Sequence, residues 1–283
     1  MSPERRFTQL DVFTDCALLG NPLAVVHAAD GLSDERMAAF ARWTNLSETT
    51  FLLAPTEPGA DYRVRIFTPT VELPFAGHPT LGSCHAWLAA GDRPQRTGEV
   101  VQQCGVGLVR IRRDGTRLAF AAPPRRRSGP LDEPMVERIA RFLQLPRAAI
   151  VDHQHCDNGP GWKAVRLASA AAVLAVRPQL GSESELEIGV VGAHDASTVD
   201  APAFEVRAFF PAPGGGLAED PVTGSLNAAL AQWLIGAGVA APRYVASQGT
   251  ALGRAGRVHV TQDGDHVWIG GDSVSCVEGR VYL

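Results

Sequence analysis

The order of apolar and polar positions predicts a first strand over residues 7–13, a turn at Gly20-Asn21-Pro22 and a second strand over residues 23–28. Ser33 then caps a helix running to about Trp43. Asp34 and Glu35 fall in its first turn, where the helix dipole favours negative charge. Glu48 stands at the entrance to an apolar strand. Further strands follow over residues 99–103, 107–112 and 117–121, joined by turns such as Arg113-Asp114-Gly115. The second half opens with a helix over residues 134–145 and a strand over 148–152. A tight turn at 157–161 (DNGPG) leads into a strand over 163–167, an Ala-rich helical run and a strand over 188–191. The end is strand-rich, with turns at Gln262-Asp263-Gly264 and Gly270-Gly271-Asp272. Ser247-Gln248-Gly249 reads equally as the lining of a site or as a plain turn.

One stretch occurs twice. Residues 64–89 (VRIFTPTVELPFAGHPTLGSCHAWLA) align without a gap to residues 206–231 (VRAFFPAPGGGLAEDPVTGSLNAALA) at a constant offset of 142, with 11 identities in 26 positions. The offset is about half the chain, far beyond the roughly 20–50 residues of solenoid repeats, so it predicts two similar halves facing each other. Each copy reads as a strand, a loop with Pro and Gly, and an Ala/Leu-rich helix. Pro79 and Pro221 suit a first helical turn, where free N–H groups attract anions. At one register the first half carries His78 and the second Asp220. Either alone reads as a helix cap. The pair at matched register reads as two titratable groups on either side of one cleft, an arrangement for moving a proton.

Composition narrows the classes. The chain has 283 residues, 45% of them apolar, and a formal net charge of −4, which gives no electrostatic case for nucleic acid or membrane. Arg125, Arg126 and Arg127 sit between prolines and read as a solvated linker; residues 122–130 (APPRRRSGP) mark the boundary between domains. The expected division is 1–124, joined by a C-terminal strand near 274–283, and 131–273. Five widely spaced cysteines without a CxxC suggest neither a zinc cluster nor a redox motif, and a reduced, cytoplasmic setting. The N-terminus lacks the apolar segment of a signal peptide, and no apolar stretch approaches the roughly 20 residues needed to span a bilayer.

NLSETTF, ELPFAGHPT, DNGPGW and EDPVTGS, in this order, together with GNPLAVV near the start and SQGTALGRAGRVHV and GGDSV near the end, resemble the PhzF (phenazine biosynthesis-like) family over essentially the whole chain. The resemblance implies an α+β protein of diaminopimelate-epimerase-like fold: two pseudo-symmetric domains, each a mixed sheet wrapped around a central helix, with the active site in the cleft between them. It implies a homodimeric isomerase with no cofactor and no metal, acting on a small unsaturated cyclic acid such as trans-2,3-dihydro-3-hydroxyanthranilate. The family's acid/base glutamate falls on Glu48, its histidine on His78 and its aspartate on Asp220. Its substrate-binding positions fall on Gly77, Gly224 and Ser225. On its own segment Glu48 reads as a surface glutamate; within this set it reads as catalytic.

The implied chemistry has Glu48 take a proton from an acidified carbon and return one elsewhere, with Asp220 ionised and His78 neutral at helix N-termini. A C–C bond hydrolase or tautomerase of secondary metabolism using the same residues is the alternative. An amino-acid epimerase would need one thiol from each half, but Cys84 aligns with Leu226 and no other cysteine has a cysteine partner at the offset. A non-enzymatic binding protein is disfavoured by the intact set.

Overall fold

The computed structural model describes residues 3–179, 181, 185–195, 201–212 and 215–283. Positions 213 and 214, within the 211–219 loop whose glycines suggest mobility in the sequence, lie outside the described residues. The chain divides into two compact units, Met1–Ala121 with Gly270–Leu283, and Ala122–Ile269.

The first unit runs β1 (Glu4–Val12), β2 (Asn21–Val26), α1 (Asp34–Thr44), β3 (Glu48–Leu53), β4 (Tyr62–Phe67), β5 (Glu72–Leu73), α2 (Gly77–Ala89), β6 (Glu99–Cys104), β7 (Gly107–Asp114) and β8 (Arg117–Ala121). The second holds β9 (Asp152–His155), β10 (Lys163–Arg166), β11 (Ile188–Ala193), β12 (Phe204–Pro211), β13 (Leu217–Asp220), β14 (Arg243–Gln248) and β15 (Gly256–Asp263). Its helices are α3 (Glu133–Phe142), α4 (Ala170–Ala175) and α5 (Gly224–Gly236). After β16 (His266–Gly271) the chain returns to the first unit as β17 (Ser273–Tyr282), which pairs antiparallel with β1.

Each unit has the same order of strand pairing. In the first, β1–β2 is antiparallel, β2–β3 parallel, β3–β4 antiparallel, β4–β6 parallel and β6–β7 antiparallel. In the second, β9–β10, β10–β11, β11–β12, β12–β14 and β14–β15 repeat that series. A parallel pair needs a crossover, and helices supply it: α1 and α2 in one unit, α4 and α5 in the other.

The two long crossover helices are the centres of their units. α2 buries Gly77 through Cys84 as well as Ala86 and Trp87, and α5 buries Leu226 through Ala231 as well as Trp233 and Leu234. Helices apolar on every side belong inside a sheet's curve rather than on its surface. Small residues let the sheet close in: a Cβ on Gly82 would stand 2.5 Å from Leu23 and 2.8 Å from Val12. The outer helix α1 buries only Met37, Phe40 and Ala41, under an aromatic cluster with Phe51 and Phe67.

The repeat's shared Arg and Phe have the same task in both units. Arg65 grips Glu72 with two bonds of 2.7 and 2.6 Å and lies 5.1 Å over Phe67. Arg207 grips Glu219 with bonds of 2.8 and 2.7 Å and lies 5.2 Å over Phe209. In each case the strand's arginine holds the short antiparallel strand that leads towards the central helix.

Three sequence expectations are corrected. Asn21 and Pro22 belong to β2 rather than to a turn, pairing with Val12 and Asp11; Pro22 is tolerated so near a strand's start. Residues 148–152 are not one strand, because a 3-10 turn at Arg147–Ala149 precedes β9. The two helices also begin at different repeat positions. Pro79 is the third residue of α2, whereas Pro221 lies outside α5, which starts at Gly224.

Candidate active site

In the first unit, α1 ends with Asn45 in the left-handed conformation (φ 54°), and the chain turns into β3. Glu48 is the first residue of β3, paired in register with Leu23 of β2. This parallel pairing sets the start of β3 beside the start of β2. His78, the second residue of α2, points its Nε2 to 3.4 Å from Glu48 Oε2. Asn21, fully buried at the head of β2, places its amide nitrogen 3.5 Å from His78 Nδ1. The side chains of His78 and Glu48 are only 6% and 15% exposed, so Glu48 is not the surface glutamate that its segment alone suggests.

Burial pushes His78 down from the ordinary 6.5 to about 3, against a hydrogen bond to the Pro22 carbonyl that favours the charged form. The ring is neutral at physiological pH. Burial, rather than the helix N-terminus expected from the sequence, is the cause.

In the second unit, Asp220 ends β13, four residues before the first residue of α5. It is not in the helix's first turn, which corrects the expected dipole effect. Its Oδ2 instead accepts a 2.5 Å hydrogen bond from the Thr223 hydroxyl. Gly224 and Ser225 open α5. Trp162 Nε1 donates to Ser225 Oγ at 3.0 Å, and Asn158 Nδ2 donates to the Ser225 carbonyl at 2.8 Å. The DNGPGW loop therefore clasps the start of the helix. Asp157 Oδ1 closes that loop on the N–H groups of Gly159 and Gly161, both at positive φ. An indole N–H can only donate, so Ser225 Oγ accepts here and keeps its own proton for another partner.

A contrast between helices follows. α1, α3 and α4 are each capped by a side chain, from Ser33, Asp132 and Ser169. Neither Ala76 before α2 nor Thr223 before α5 makes a side-chain cap. The central helices thus lack an N-cap side-chain bond at their starts, Gly77-His78 and Gly224-Ser225.

Glu48 and His78 are brought together within one unit, as are Gly224, Ser225 and the Asp220 carboxylate's support within the other. Sequence reasoning gave no role to Asn21, Asn158, Trp162, Thr223 and Asn227 behind them, and left Gln248 open between site lining and turn. All but Asn227 lie in the quoted motifs GNPLAVV, DNGPGW, EDPVTGS and SQGTALGRAGRVHV, so a signal existed; the contacts of Gln248 emerge once β12 and β14 are paired.

The α+β fold of two matching ladders, each around a buried helix, holds a carboxylate against a neutral buried histidine, a pair chemically able to pass a proton. The sequence pattern of the family described as phenazine biosynthesis-like protein matches residues 10–279, and the chain belongs to that family, PhzF, a family of isomerases. Antisense-enhancing sequence 1 of Schizosaccharomyces pombe is 35% identical, covering 99% of each chain. The trans-2,3-dihydro-3-hydroxyanthranilate isomerase of Pseudomonas aeruginosa is 33% identical, covering 98% of this chain and 99% of its own. Among solved structures, the Bacillus anthracis phenazine biosynthesis protein of the PhzF family superposes with a TM-score of 0.83 at 21% identity, covering 99% of this chain and all of that one. A hydroxyproline epimerase from Agrobacterium vitis superposes at 0.56 with 12% identity over all of this chain and 94% of its own. The fold is that of the diaminopimelate-epimerase-like superfamily.

Proposed function

We propose that this protein is a cofactor-independent isomerase that moves a proton within a small unsaturated cyclic amino or hydroxy acid, of which trans-2,3-dihydro-3-hydroxyanthranilate is the type. The observation that carries the reading is the contact of 3.4 Å between Glu48 Oε2 and His78 Nε2 in a largely buried setting. Glu48 takes a proton from a carbon acidified by the conjugated system and returns one to another carbon of that system, so hydrogens balance and no bond to water forms. His78, held neutral, hydrogen-bonds the substrate or the Glu48 carboxyl without carrying charge. Asp220 accepts from a substrate hydroxyl or amine. Gly77, Gly224 and Ser225 serve as substrate-binding positions, through N–H groups at the two helix starts and the Ser225 hydroxyl. The working enzyme is a homodimer.

Glu48→Gln keeps shape and removes the base. It should lower turnover by at least roughly 100-fold while ligand affinity stays within about tenfold, the pattern of a group needed for chemistry rather than binding. Steady-state kinetics with calorimetric titration of a competitive ligand check this. A Gln variant retaining most of its turnover removes Glu48 from the mechanism.

A further inference from the structure

We propose that Gln248 is a positioning residue for the Asp220 carboxylate, acting through the Thr223 hydroxyl; the inference rests on the reading of Asp220 as a catalytic group. Gln248 ends β14 and is fully buried. Its Oε1 accepts from the Thr223 backbone N–H at 3.0 Å and from Asn227 Nδ2 at 2.8 Å. A backbone N–H can only donate, so this oxygen cannot exchange places with the amide nitrogen. The nitrogen therefore faces the other way. Gln248 Nε2 donates to Thr223 Oγ1 at 2.9 Å and to the Asp220 carbonyl at 3.2 Å.

With Thr223 Oγ1 accepting from Gln248, the hydroxyl's one proton goes to Asp220 Oδ2. Every bond in the series thus has a single possible direction, set at its origin by a peptide N–H. Asn227 locks the far end by donating a second bond, to the Thr223 carbonyl at 2.9 Å. A buried hydroxyl that must donate to a carboxylate stabilises its ionised form and fixes its plane.

The backbone is shaped for this contact. Gly249 follows at φ 88°, and a Cβ there would stand 2.6 Å from the Pro221 carbonyl oxygen, so the residue after Gln248 lets the chain close on the Asp220-Pro221 segment. The parallel pairing of β12 and β14, with Val206 opposite Gln248, brings together residues that are 28 positions apart.

The test titrates the Asp220 side-chain carboxyl by carbon-13 NMR in aspartate-labelled protein, assigned with Asp220→Asn. The same proteins are assayed on trans-2,3-dihydro-3-hydroxyanthranilate. Thr223→Val, which loses the donor, and Gln248→Met, which frees the hydroxyl to turn, should each shift the Asp220 midpoint upward. Each should lower kcat by roughly 10- to 100-fold, with KM within about threefold. Thr223→Ser should restore both readouts, and the double variant should do no more than the worse single one. A midpoint unmoved in Thr223→Val overturns the relay. So does an equal loss in Thr223→Ser, which would make the site's role one of packing. Should Gln248→Met fail to fold, the Thr223 pair decides. Wild-type turnover in Asp220→Asn would sink the catalytic reading of Asp220 instead, while the titration still decides whether Gln248 and Thr223 set its charge.

Discussion

The buried histidines show how one side chain's surroundings set its charge and, through it, the pH dependence of stability. Burial pushes His27 to about 4 and His78 to about 3, each from 6.5; Arg6 adds to the effect at His27. Below pH 6.5 the unfolded chain binds a proton on each histidine that the folded chain refuses. More protons on the unfolded state means stability falls as pH falls, from 6.5 down to the folded values. His27 lies outside the proposed site, 3.0 Å from the Thr8 hydroxyl. His27→Gln keeps a hydrogen-bonding amide near that hydroxyl and removes the titration. Urea denaturation at successive pH values should give a shallower fall between pH 6.5 and 4 than in the wild type. An unchanged slope would assign the acid sensitivity elsewhere. Candidates for the proposed site can be named from the sequence: Glu48, His78, Asp220, Gly77, Gly224 and Ser225 all lie in short motifs of recognisable order. A neutral His78 was also expected, but from the helix N-terminus; its cause was not legible, because it is burial beneath neighbours that no local window contains.

At the scale of elements, the repeat's two arginines differ in weight although they make the same contact. Arg207 and Glu219 have side chains only 5% and 8% exposed, and Arg207 also donates to the Val173 and Val176 carbonyls at 3.3 and 2.8 Å. Arg65 and Glu72 are 23% and 41% exposed. Removing one partner of a buried pair strands the other charge, at a cost of about 3–5 kcal/mol, whereas an exposed pair contributes about 1 kcal/mol or less. Arg207→Ala should therefore lower unfolding free energy by several times the loss in Arg65→Ala, measured by urea denaturation. Comparable losses would contradict the burial argument. The sequence marks the two arginines as identical but carries no sign of this asymmetry. The helix starts were misplaced for a similar reason. The matched Pro79 and Pro221 imply matched first turns, yet β13 extends to Asp220 and delays α5 to Gly224. Pairing of β13 with β12 outweighs the local preference of proline for a helix start.

For the whole molecule, the 142-residue offset is the sequence's clearest statement about architecture, and each unit repeats the other's ladder of parallel and antiparallel pairs. The β4–α2–β6 and β12–α5–β14 crossovers explain why the repeat contains a strand followed by a small-residue helix: the helix must be thin enough to be enclosed. What stayed hidden was pairing at a distance, such as β14 against β12, which turns an ambiguous Ser247-Gln248-Gly249 into the support of Asp220. No helix among the described residues is long and apolar enough to cross a membrane. The proposed isomerisation depends on Glu48 as the group that moves the proton. The most direct measurement is proton NMR of trans-2,3-dihydro-3-hydroxyanthranilate incubated with the protein in D2O, beside Glu48→Gln. Catalysis by Glu48 should give isomerisation with deuterium entering at carbon, absent in the variant. Isomerisation persisting in Glu48→Gln, or a substrate left unaltered by the wild type, would contradict it.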